Sequence, residues 1–141
     1  MPKLELYSLK INDVPPKSGL NWCLADAHVA EGDAYITLTT AFFYNNPDFF
    51  PIRGEIIEVN WDDGTRMFCL LEGKQQINGK FYPKQISSYN KKAELGKYIR
   101  SRLNVKLDHL VTMNDLINYG RKDIDVTKID SHKFYFDFHV Q

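Results

Sequence analysis

The stretch "EIIEVNWDDGTRMFCLLE" (55–72) limits the fold more than any other in this chain. Its first half alternates, with Ile57, Val59 and Trp61 on one face, "DDGT" turns, and "RMFCLLE" (66–72) returns. Two runs of period two joined by a short Asp-Gly turn make an antiparallel hairpin with one buried face. A lone hairpin is unstable in water, so other strands must cover that face.

The remaining sequence supplies them. "LELYSL" (4–9) reads as a first strand, which "NDVPPKSG" then breaks because paired prolines fit neither a central strand nor a helix interior. "AYITLTT" (34–40) is β-branched and regular, and "AFFYNNPDFFP" holds a helical turn closed before Pro47. "NGK" (78–80) is a second turn signal. "FYPKQISS" (81–88) reads as a short edge segment, since Pro83 has no N–H to donate. Helical spacing follows: Leu95, Tyr98, Ile99 and Leu103 form a stripe in "KKAELGKYIRSRLN". Thr112 and Asp115 resemble a capping box opening "MNDLINY", with Gly120 as the stop. Two strands close the chain, "IDVTKID" (124–130) and "KFYFDFHV" (133–140), the second alternating Phe134, Phe136, Phe138 and Val140 with polar residues. The expected fold is mostly β with two short helices (α+β). About seven strands close, or nearly close, an antiparallel barrel, because open edges invite aggregation.

The 141 residues suffice for one domain, 1–141, with one core, and 13% aromatic content suits a strand-rich interior. No apolar run approaches the ~18 residues of a membrane helix, and the N-terminus lacks a signal-peptide pattern. Cys23 and Cys69 form no disulfide framework, and Cys69 in "MFCLL" reads as a small core residue, so a cytoplasmic protein is expected.

Zero net charge conceals a strong asymmetry. Residues 74–106 carry nine Lys or Arg against Glu94 alone, or +8, which leaves nine positive and 17 negative charges elsewhere, or −8. An anionic partner responds to the local field more than to the total. The basic quarter also holds Gln75, Gln76, Asn78, Gln85, Ser87, Ser88 and Asn90, flexible hydrogen-bonders suited to base edges.

Catalytic patterns are sparse. Asp48, Glu72 and Lys74 formally match the PD…ExK pattern of Mg²⁺ nucleases, in which two carboxylates hold a metal and a lysine orients water. The spacing is permissive, and Asp48 sits in a proline-bracketed loop rather than on a strand end. His109, His132 and His139 lack a second ligand at metal spacing, and there is no CxxC, GxSxG, glycine-rich phosphate cradle or HxK pair. No catalytic residue, metal or cofactor is expected for this chain.

"SGLNW" (18–22), "AYI" (34–36), "DDG" (62–64), "LGKYIRSRL" (95–103), "YGRKDIDVTKID" (119–130) and "FYFDF" (134–138), in that order, resemble the C-terminal domain of NgoFVII-type restriction endonucleases. Those enzymes join a phospholipase-D-like nuclease to a B3-like DNA-binding domain. The resemblance implies a seven-stranded, open B3-like pseudobarrel in a prokaryotic cytoplasm. Two loop regions, an N-arm and a C-arm, would grip the major groove of a short specific duplex site like the jaws of a wrench. The nuclease would lie in a fused or separate domain of a type II restriction endonuclease, since this chain has no HxK pair.

Carried onto this sequence, the N-arm is Ser18 to Asp33 and the C-arm Lys74 to Asn90, the basic stretch already singled out by charge. In the N-arm, Ser18 opens the loop and Asn21 or Trp22 pins it. Asp26, Glu31 and Asp33 are placed to accept from cytosine N4, and His28 to donate to guanine or touch a phosphate. In and beside the C-arm, Lys74, Lys80, Lys84, Lys91 and Lys92 would neutralise phosphates. Gln75, Gln76, Asn78, Tyr82, Gln85, Ser87, Ser88 and Asn90 are candidates for base contact. Two other readings stay open: a Mg²⁺-dependent nuclease, and a barrel whose basic segment binds an acidic protein.

Overall fold

A computed structural model describes residues 2–25, 30–91 and 93–141. The central hairpin forms as its alternation requires, from β3 (Ile56–Trp61) and β4 (Arg66–Glu72), in register Ile57↔Cys69 and Val59↔Met67. Ile57, Val59, Trp61, Met67, Cys69 and Leu71 all turn inward and are buried. The other elements are β1 (Lys3–Glu5), a 3-10 helix (Gly19–Leu24), β2 (Ile36–Thr37) and α1 (Thr40–Asn45) before the hairpin. After it come β5 (Gln75–Ile77), β6 (Lys80–Tyr82), β7 (Gln85–Ser88), α2 (Ala93–Leu103), α3 (Met113–Tyr119), β8 (Asp123–Asp130) and β9 (Lys133–Asp137).

Seven strands form one sheet in the order β1-β8-β9-β3-β4-β7-β2, while β5 and β6 pair separately. Every neighbour in the large sheet is antiparallel except β3 and β9. The sheet curls until its edges, β1 and β2, face each other across a cavity of about 400 Å³ lined by residues of both, giving a nearly closed, mostly β pseudobarrel. Its interior is filled by the apolar faces of these strands, with Phe134, Phe136 and Phe138 fully buried. Among the described residues no helix is long and apolar enough to cross a membrane.

The structure departs from the sequence reading in three places. The strand expected over 34–40 is only Ile36–Thr37, because the Thr39 hydroxyl accepts from the Phe42 N–H and starts α1. The segment 81–88 is not an edge: Pro83 sits in the break between β6 and β7, and β7 lies inside the sheet between β4 and β2. The helical turn expected before Pro47 is a short helix, α1, which makes a third beside the two counted.

Both other helices form as their signals require. In α3 the capping box is complete, and Gly120 closes the helix at a left-handed φ of 108°. Leu95, Ile99 and Leu103 of α2 are buried, whereas Arg102 crosses to the β3–β4 turn. There its guanidinium donates to both Asp62 carboxylate oxygens, at 3.1 and 2.9 Å, and to the Tyr119 hydroxyl at 2.9 Å. Burial opposes ionisation of Asp62, but hydrogen bonds from Arg102 and from the Phe138 N–H outweigh it and hold this carboxyl below its ordinary range.

Candidate nucleic-acid interface

Of the stretch expected as the C-arm, Lys74 to Asn90, the first part forms a two-stranded ribbon, β5–β6, while β7 belongs to the large sheet. Strands β5 and β6 meet at Asn78-Gly79, where φ is 52° and 81°, so both central residues are left-handed as a tight two-residue hairpin turn demands. Alternation then sorts the side chains. On the inner face Ile77 and Tyr82 are buried, Tyr82 stacking on Phe43 of α1 at 4.5 Å between centroids. The Gln75 amide donates to the carbonyls of Leu38 and Pro83, both at 2.8 Å, and so staples the ribbon's base to the barrel. On the outer face Gln76 and Phe81 are cross-strand partners, both exposed, and the Lys74 ammonium lies 4.2 Å from the Phe81 ring centroid. Lys80 reaches Asp48 instead, at 3.6 Å.

The N-arm has a fixed root. Asn21 is fully buried: its amide donates to the Pro15 and Val111 carbonyls, and its oxygen accepts from the Val111 N–H. Arg100, also buried, donates to the Leu20 carbonyl, the Asn21 side-chain oxygen and the His109 carbonyl. Trp22 is half-buried edge-on against Tyr35, and Ser18 precedes the 3-10 helix without a side-chain cap. The loop returns beside α2, where a Cβ on Gly96 would lie 1.8 Å from the Gly32 carbonyl oxygen; helix and loop touch backbone to backbone.

The two arms stand at opposite ends of the β2–β7 ladder. The register Ile36↔Ile86, Thr37↔Gln85 brings the N-arm into β2 where β7 runs out toward α2, while the ribbon sits where β7 begins. Thr37 and Gln85 are opposite each other and less buried than the Ile pair, so they face outward between the arms.

Several expected readers are placed elsewhere. Ser87 and Ser88 are fully buried: the Ser87 hydroxyl donates to the Glu72 carboxylate and the Ser88 hydroxyl accepts from the Leu95 N–H. Tyr82, Asn21 and Asp33 are buried too, and Asp33 closes a turn by accepting from the Ala30 N–H at 2.7 Å. The side chains of Ser87, Ser88, Tyr82, Asp33 and Gln75 are thus engaged within the protein rather than free for base contact. Asn21, expected to pin the loop, is hydrogen-bonded at its root. Glu31, Lys74, Gln76, Asn78, Lys80, Lys84, Asn90 and Lys91 are exposed, and Ser18, Trp22 and Gln85 are partly so. Asp26, His28 and Lys92 lie outside the described residues. The charge count is corrected as well, because two of its nine cations, Arg100 and Arg102, serve the interior.

Sequence reasoning missed Phe81 and Arg53. The exposure of Phe81 was available from the turn itself, since a two-residue Asn-Gly loop pairs it with Gln76. Arg53, which donates to the Gly73 carbonyl at the ribbon's base, carried no such signal.

The nuclease constellation finds no support. Asp48 is exposed and pairs with Lys80, and Glu72 is held by Ser87. Among the described residues one group, Asp62, Asp137 and His139, has metal-ligand spacing, but Asp62 is taken by Arg102 and Asp137 lies 3.6 Å from Arg121.

The family model of the NgoFVII C-terminal B3-like DNA-binding domain matches residues 2–130. The chain belongs to this family. This B3-like domain is thus a DNA-binding domain related to a restriction endonuclease family, and its pseudobarrel agrees with the match. No curated protein matches the chain.

Proposed function

We propose that this domain recognises a short double-stranded DNA sequence through the major groove and serves a type II restriction endonuclease as its target-recognition part. The whole chain acts as one recognition domain in a prokaryotic cytoplasm, and the nuclease resides in another domain or another chain. The observation that carries this reading is the β5–β6 ribbon. The major groove, about 12 Å wide, admits a two-stranded ribbon, and this one is rooted on α1 with Lys74 and Gln76 turned outward. Lys74, Lys80, Lys84, Lys91 and Lys92 set the register on phosphates. Gln76 and Asn78 offer hydrogen bonds to base edges from that side, and Asn90 from the connection that follows β7. Glu31, with Asp26 and His28 before it in sequence, does so from the N-arm, and Gln85 lies between.

Selection from random duplexes, with and without methylated cytosine, will enrich one short site. If about five phosphates are engaged, the logarithm of affinity falls against that of salt with a slope of about −4 to −5. Lys84→Ala weakens all sequences alike and reduces that slope by about one. A slope near zero, or no enrichment, would refute the reading. Plasmid incubated with the protein and Mg²⁺ or Mn²⁺ stays intact; cleavage would instead favour a nuclease.

A further inference from the structure

We infer that the outer face of the ribbon reads one A·T base pair, Gln76 bonding the adenine edge and Phe81 covering the C5-methyl group of the paired thymine. The inference rests on the proposal that the ribbon enters the major groove, and it names what is read there.

Three observations lead to it. Tyr82 is the ribbon's ring that packs into the core, whereas Phe81, on the opposite face, stands 46% exposed. Gln76 opposes it in register and, unlike Gln75, makes no side-chain hydrogen bond among the described residues. Cross-strand partners hold their Cβ atoms about 5 Å apart, so amide and ring reach neighbouring points together. The third is Lys74, whose ammonium lies 4.2 Å from the Phe81 ring centroid and so places a cation beside the ring on the same outer face.

In the major groove an A·T pair offers adenine N7 as acceptor and N6 as donor, which a carboxamide matches with two bonds, and beside them the apolar thymine methyl. G·C and C·G offer no methyl, and guanine offers two acceptors where the Gln amide needs one acceptor and one donor. A glutamine beside an exposed phenylalanine is therefore complementary to A·T and to no other unmodified pair in that orientation. 5-Methylcytosine shares the methyl but not the adenine edge. When the ribbon seats, Lys74 has only to swing toward a phosphate.

The test uses the site selected with the wild-type protein. Each thymine is replaced singly by uracil, which deletes only the methyl. At one thymine, uracil weakens wild-type binding about fourfold, as expected for uncovering one methyl-sized group. Phe81→Ala binds thymine and uracil duplexes equally there, and Phe81→Leu keeps part of the difference. Replacing the paired adenine by its 7-deaza analogue weakens the wild type at least about fivefold but leaves Gln76→Ala unchanged. A G·5-methylcytosine pair at that position binds better than G·C and worse than A·T.

Indifference of the wild type to uracil at every thymine overturns the inference, as does a uracil effect that survives Phe81→Ala. If G·5-methylcytosine equals A·T, the adenine half is overturned. Failure of the wild type to prefer any duplex would instead remove the groove-reading proposal beneath it. Binding of the variants to random duplex at low salt shows that they are folded.

Discussion

At Arg100 a full positive charge sits inside the protein with neutral oxygens as its hydrogen-bond partners: two carbonyls and the Asn21 amide. Its Nε finds no partner among the described residues, so the side chain is kept for what its other nitrogens hold, which is the root of the N-arm. Arg100→Met strands the Leu20 and His109 carbonyls and is expected to cost at least about 2 kcal/mol in urea unfolding. A loss under about 0.5 kcal/mol would show that the fork holds little. Arg100→Lys restores charge but not fork geometry and recovers only part. Sequence could point to "SGLNW" as special, but not to why. The Asn21 partner at Val111 and the Arg100 partner at Leu20 lie 90 and 80 residues away, and no local pattern encodes such pairings. The same limit explains why Ser87 and Ser88 read as surface residues. Short polar side chains are chemically identical whether they face a base or a buried carboxylate.

Among elements, the ribbon is the one whose geometry depends most on a single residue. Gly79 sits at φ 81° with nothing within 4 Å of where a Cβ would be, so a substitution there strains backbone without clashing. Gly79→Ala is expected to destabilise the turn by about 1 kcal/mol. Because the seven-stranded sheet does not include this turn, the global melting temperature should change little while affinity for the selected site falls. A large drop in melting temperature would mean that the ribbon supports the barrel rather than stands on it. Gly96→Ala is the opposite case, since it pushes α2 against the Gly32 carbonyl, and both stability and N-arm contacts should suffer. The Asn-Gly turn, the central hairpin and both helices with caps or stripes were legible because each rests on local chemistry. β7 was misread as an edge because Pro83 lies two residues before it and signals the break, not the strand. β2 was overextended because Thr39 serves equally well as a strand residue and as a helix cap.

For the molecule as a whole, acid should act through the carboxylates that tie its elements together. Desolvation works against Asp62, Asp115 and Asp125, yet hydrogen bonds outweigh it and depress all three. They come from Arg102 and the Phe138 N–H to Asp62, from the Thr112 N–H and His109 to Asp115, and from Lys3 and Arg121 to Asp125. A depressed carboxyl stabilises the fold above its unfolded pKa, about 3.9, and that contribution disappears as pH falls through the folded value. Stability by urea titration should therefore be flat near neutrality and drop below about pH 4. Asp62→Asn should cost about 3 kcal/mol at pH 7, because Arg102 is left without its main partner, and should make the acid loss shallower. An unchanged acid limb would assign the pH dependence to other groups. The barrel class was legible at this scale because seven short apolar-faced strands leave few alternatives, whereas the placement of the arms was not. Which end of a strand a loop occupies depends on pairing order, and sheet order is a long-range property.

The ribbon leaves the barrel at Gly73 and returns at Pro83, seated on α1, while the acidic loop is moored to α2. The two are fastened independently, so residues 74–82 form a cassette. Under the proposed division of the site between the two arms, exchanging this cassette alone would retune the ribbon's share of the target sequence and leave the other share untouched.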